Sequence, residues 1–143
     1  MKESADYQFL KTFSNDYVHH IRISNGFNGP EKFRLDELNI NQLLSIIENN
    51  IKKSCIYIEQ RYLNNKFNET KLIQLLCKLI YPFTTTFNKH GGPVWIPTIS
   101  YFKNLPLYVY FKAIQSNINI FENISEDTKN YNEIKEYYRF LKL

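Results

Sequence analysis

The sequence predicts a mainly α protein: a compact bundle of four to five helices with a small N-terminal β-hairpin. Three observations carry this expectation. Apolar residues from Ile40 to Tyr62 recur at helical spacing, the signature of one wide apolar face. A near-continuous apolar run lies between Asn68 and Pro82. Residues from Tyr17 to Ser24 alternate in character ahead of Asn25-Gly26-Phe27-Asn28-Gly29-Pro30, the strongest turn signal in the chain.

Tyr7, Phe9, Leu10 and Phe13 suit a short first helix, and Ser14-Asn15-Asp16 reads as a break. The expected hairpin pairs Tyr17–Ser24 with Lys32–Leu38, where Phe33 and Leu35 share a face. The rival reading of residues 16–24 is a helix. A long helix should begin near Asp36 or Asn39 and run to Asn64-Asn65. Ile40, Leu43, Leu44, Ile47, Ile51, Cys55, Ile58 and Tyr62 form its apolar stripe. Its expected length is about 24 residues, or about 36 Å.

Asn68 then reads as an N-cap, with Glu69 favourable in the first turn. Leu72, Leu75, Leu76 and Leu79 should all be buried in the central helix, which Pro82 ends near Ile80. From Phe83 to Pro106 the chain reads as irregular, relieved by a short helix over Thr98–Lys103 with Thr98 as its cap. Leu107 to Glu122 reads as one helix, and Ser125-Glu126-Asp127 as the cap and acidic first turn of a last one. The expected organisation is a single globular domain over residues 1–143.

Composition bounds the function classes. The chain carries 17 Asn, 17 Ile and 14 Lys against only 2 Ala and 4 Gly, a bias that points to an A/T-rich gene such as those of viruses, phages and mobile elements. Eighteen Lys and Arg against 14 Asp and Glu leave a net charge of +4, which suits an acidic protein, a nucleic acid or a membrane surface as partner. Most of these cations are lysines, the default surface residue of such a gene. No apolar run reaches the length of a membrane-spanning helix. The N-terminal residues lack the apolar core of a signal peptide, so a cytoplasmic location is expected. Cys55 and Cys77 fall on apolar stripes and should be reduced and buried. No Cys-x-x-Cys or Cys/His cluster suggests zinc, and no cofactor is expected.

Candidate catalytic groups are isolated. His90-Gly91-Gly92-Pro93 is similar to the oxyanion-donating segment of some esterases, but the Gly-x-Ser-x-Gly elbow that chemistry needs is missing. His19 and His20 would point to opposite faces of a strand. Cys55 sits on the core stripe, away from the electropositive setting a nucleophile needs. The acidic pairs Asp36-Glu37 and Glu126-Asp127 read as helix starts.

The expectation is therefore a small non-enzymatic protein that binds and neutralises another protein. Its most concrete form is a bacterial immunity protein against a cognate toxin, or a viral inhibitor of host signalling. The partner-binding residues expected are Lys89, His90, Trp95, Tyr101 and Lys103, with Trp95 and Tyr101 as aromatic anchors and the lysines as a rim facing an acidic patch. The alternative is a nucleic-acid-binding protein using Lys129, Tyr131, Lys135, Tyr138, Arg139 and Lys142, with Lys52-Lys53 as a second basic cluster. A small nuclease toxin using His19, His20 or His90 is the third class.

Overall fold

The computed structural model describes residues 3–13, 29–80 and 95–143. They fall into two compact units, Met1–Asn39 and Ile40–Leu143.

In the first unit, helix α1 spans Ala5–Phe13, as the aromatic spacing predicts. The Ser4 hydroxyl accepts from the Tyr7 amide at 3.0 Å and caps the helix. Asp6 is fully buried, and its carboxylate accepts the Leu35 amide at 2.8 Å. Tyr7 meets the edge of Phe33 with ring centroids 6.2 Å apart. The expected second strand of the hairpin is absent here: Leu35–Glu37 is a 3-10 turn. The reason is the Asp6 carboxylate, which takes the backbone donor that a strand partner would need. Phe33 and Leu35, the residues expected to share a strand face, are both buried. Residues 17–24 and the turn residues 25–28 lie outside the described residues.

The second unit carries five of the six α-helices among the described residues: α2 Ile40–Asn49, α3 Ile51–Leu63, α4 Glu69–Leu76, α5 Leu107–Ser116 and α6 Tyr131–Leu141. The single long helix expected from Ile40 is thus two, which raises the count above four to five. Asn50 breaks it with φ −156° and ψ 84°. Asn49-Asn50 is weak helix-forming sequence, and the apolar spacing continues across the break because both helices bury the same stripe. Helix α4 starts as predicted, with the Asn68 side chain accepting the Lys71 amide at 2.9 Å.

The end of α4 departs from expectation. It stops at Leu76, and Leu79–Ile80 forms a strand antiparallel to Ile96–Pro97, with Leu79 opposite Pro97 and Ile80 opposite Ile96. The small sheet therefore sits in the second unit and not near the N-terminus. Strand alternation turns Ile80 inward and leaves Leu79 54% exposed, which corrects the expectation that Leu79 is core. Leu72, Leu75 and Leu76 are fully buried as expected. Helix α5 packs on α4 and α6.

Two further helices are shorter than predicted. Helix α5, expected to reach Glu122, ends at Ser116; Asn117 leaves helical geometry, accepts the Asn119 amide, and the chain resumes as a 3-10 helix over Ile118–Asn123. Asparagine's short amide competes with the helical ladder in this way. The last helix opens at Tyr131 and not at Ser125-Glu126-Asp127. The Ser125 hydroxyl bonds the Asp127 carboxylate, and Asn130 adopts a left-handed φ of 63° before the helix starts.

Candidate functional site

The expected binding segment is built on the small sheet. After Ile96–Pro97, Thr98–Tyr101 forms a 3-10 turn. Pro97 holds the cap position, and the Thr98 hydroxyl bonds the Lys78 carbonyl at 2.9 Å, as does its amide. Ile99 and Phe102 anchor the segment in the core, at 1% and 0% exposure. The buried Tyr110 phenol donates to the Phe102 carbonyl at 2.7 Å and accepts the Leu105 amide at 3.2 Å. Burial pushes that phenol's pKa up. The turn from Phe102 to Leu105 is thus held from inside by one side chain.

A second clamp comes from α3. Glu59 is 7% exposed, and its carboxylate accepts the Asn104 amide at 3.1 Å and the Asn104 Nδ2 at 3.4 Å. Lys103, between these fixed points, pairs with Asp127 at 2.8 Å, and its carbonyl accepts the Lys129 amide at 2.8 Å. The Lys103 ammonium, with the Ser125 hydroxyl, holds the Asp127 carboxyl below its ordinary range.

Between α3 and this segment lies a groove of about 400 Å³, lined by Lys52, Ile56, Glu59, Tyr101, Lys103 and Asn104. Two of the expected partner-binding residues, Tyr101 and Lys103, line it. Trp95 is 55% exposed but is not among the residues lining this groove. Lys89 and His90 lie outside the described residues, as do His19 and His20. Sequence reasoning missed Ile56, Glu59 and Asn104, and read Lys52 only as half of a basic pair. A signal was present: Lys52, Ile56 and Glu59 are spaced four and three apart, so they share a helix face. Ile56 is off the apolar stripe of α3 and 45% exposed.

Other candidate groups are committed to structure. Cys55 is buried and unbonded; burial, aided by the nearby Glu59 charge, pushes its thiol up to about 12. A thiol held protonated is a poor nucleophile. Cys77 is also a free thiol, but it is only half-buried, where full burial was expected. It follows the last turn of α4, where the helix gives way to the strand. Glu69 accepts from the phenols of Tyr62 at 2.6 Å and Tyr108 at 2.7 Å and from Lys112 at 2.9 Å. The Tyr62 and Lys112 bonds lead in pulling its carboxyl down to about 2. Burial, with the Glu69 bond second, raises the Tyr62 phenol.

Three tyrosines of the last helix stack on rings of neighbouring elements, while its Phe140 is 68% exposed. Tyr131 and Tyr138 both stack on Phe121, with centroids 5.8 and 4.3 Å apart. Tyr137 stacks on Phe111 at 4.1 Å. Lys142 lies over the Tyr138 ring at 5.2 Å. Among the described residues no cluster of His, Cys, Asp or Glu is arranged to hold a metal ion. No helix among them is long and apolar enough to cross a membrane. No family model, curated protein or solved structure matches this chain.

Proposed function

We propose that this chain works by binding another protein and blocking it, most concretely as a bacterial immunity protein against a cognate toxin. The observation that carries the reading is the clamped Tyr101–Asn104 segment beside the α3 groove. It presents an aromatic side chain, an ammonium and an apolar floor on backbone already held by Tyr110, Glu59 and Lys78. A surface set in advance loses little entropy on docking. Trp95, more than half exposed two residues before this segment's first anchor at Pro97, adds an aromatic of the kind that dominates interface energetics.

The state of the buried groups favours binding over catalysis, and the stacking of the α6 tyrosines favours it over nucleic acid. The buried thiol is protonated and the carboxylates of Glu59 and Glu69 are already occupied by internal donors. The tyrosines of α6 stack on Phe111 and Phe121, which removes ring faces that bases would otherwise use.

The test is co-expression with the product of the reading frame immediately upstream. The expected result is rescue of growth and a complex that survives raised salt, as an interface with an apolar centre should. Trp95→Ala and Tyr101→Ala should each weaken that complex by about tenfold or more at unchanged melting temperature. The single Trp should also be quenched by iodide in the free protein and protected in the complex. No rescue and no complex would refute the reading. Tight binding of a single-stranded oligonucleotide with steep salt dependence would establish the nucleic-acid alternative.

A further inference from the structure

We propose that the groove between α3 and the Tyr101–Asn104 segment receives one linear stretch of the partner: an acidic segment with an apolar side chain in its midst. A carboxylate of that segment would meet Lys52, and the apolar side chain would lie on Ile56 and Tyr101. This rests on the protein-binding reading above and specifies what enters the site.

Size, charge and apolar surface all support this occupant. A volume of about 400 Å³ holds a few side chains and falls within the range of specific pockets. Lys52 is exposed and makes no ion pair with any described residue. It stands in the first turn of α3, where no acidic residue is present and the Asn50 side chain gives no cap. Cations are disfavoured at that end of a helix, and anions are favoured. An incoming carboxylate would therefore meet an ammonium and a helix dipole of the same sign. Lys103 lies on the same groove and is already held in position by Asp127.

The one carboxylate lining the groove is Glu59. It is 7% exposed and accepts from both nitrogens of Asn104, and Lys103 is paired with Asp127, so the exposed charge of the groove without an ion pair among the described residues is Lys52. The apolar part is Ile56, 45% exposed, with Tyr101 lining the same groove. The chain's net charge of +4 would draw an acidic segment in.

The probe is a fluorescein-labelled peptide of aspartates and glutamates around one central leucine, titrated by anisotropy against the full chain. Controls are the same peptide with serine for leucine, a lysine-rich counterpart and a single-stranded oligothymidylate of equal charge. Saturable binding is expected, with Lys52→Glu and Ile56→Asp each weakening it by about tenfold or more. Lys53→Glu changes the net charge equally but lies outside the groove, and it should cost less than about threefold. Lys52, Lys53 and Ile56 are all exposed, so circular dichroism should show all three variants folded.

Equal losses in Lys52→Glu and Lys53→Glu would overturn the proposal in favour of diffuse charge. Equal binding of the serine peptide would overturn the apolar contact, and tighter binding of the lysine-rich peptide or the oligonucleotide would overturn the occupant. If the intact partner binds yet ignores both Lys52→Glu and Ile56→Asp, the groove assignment fails while the protein-binding reading stands.

Discussion

Ser54 illustrates how a single buried atom departs from the rule that interior polar groups are paired. Its side chain is fully buried and its hydroxyl oxygen has no hydrogen-bond partner among the described residues. An unsatisfied buried hydroxyl is a net cost, so Ser54→Ala should be neutral or stabilise the fold by up to about 1 kcal/mol. Urea unfolding would measure this, and a loss of stability would show that the hydroxyl has a role the geometry hides. Asp6 and Glu59 are the contrasting cases. Each is buried, and each accepts a backbone amide from a distant part of its own unit. Their burial is comprehensible as cross-bracing, where an apolar residue of similar size would leave those amides unpaired. Neither position could be identified from periodicity, because both look like ordinary surface acids on amphipathic helices.

At the level of elements, α4 and the strand that follows it separate two leucines that the sequence treats alike. Leu76 is fully buried and Leu79 is 54% exposed. Leu76→Ala should cost about 2–5 kcal/mol, while Leu79→Ala should stay within about 0.5 kcal/mol. Paired denaturation curves check both, and equal losses would mean that Leu79 is covered. The Tyr62, Glu69, Tyr108 and Lys112 network joins α3, α4 and α5. The folded Glu69 carboxyl titrates near 2 against an ordinary 4.5. Its contribution to stability is therefore complete above about pH 4.5 and is lost as pH falls toward 2. The urea midpoint should drop across that window, and Glu69→Gln should flatten part of the drop. An unchanged pH profile in Glu69→Gln would remove this network from the account.

For the molecule as a whole, the two thiols report on different depths of the Ile40–Leu143 unit. Cys55 has no exposure, and its thiol is held protonated at neutral pH. Cys77 is half-buried, and its Sγ lies 3.9 Å from the Ala113 carbonyl. Labelling of the native protein should modify Cys77 first, and Cys55 only at the rate of larger opening. Mass spectrometry of the labelled protein resolves the two, and the addition of mild denaturant should accelerate Cys55 far more than Cys77. Equal native rates would contradict the burial of Cys55.

Features that depend on neighbours along the chain are readable from the amino-acid sequence. Helical faces at Ala5–Phe13, Ile40–Leu63 and Glu69–Leu76, the Asn68 cap and the Pro106 boundary before α5 are local, because helix periodicity and capping act within a few residues. Tyr101 and Lys103 were also legible, as an aromatic and a charge in a proline-bounded segment. Tertiary structure decided the rest. Leu79–Ile80 became a strand only because Ile96–Pro97 lies beside it, and Leu35 left the strand pattern because Asp6 takes its amide. The break at Asn50 preserves the apolar spacing and so left no mark in it. The groove itself joins Lys52 and Ile56 to Tyr101 and Lys103 across more than forty residues. Such a site exists only once separate helices pack, since side-chain proximity across that separation is set by burial and packing and by nothing written in either segment alone.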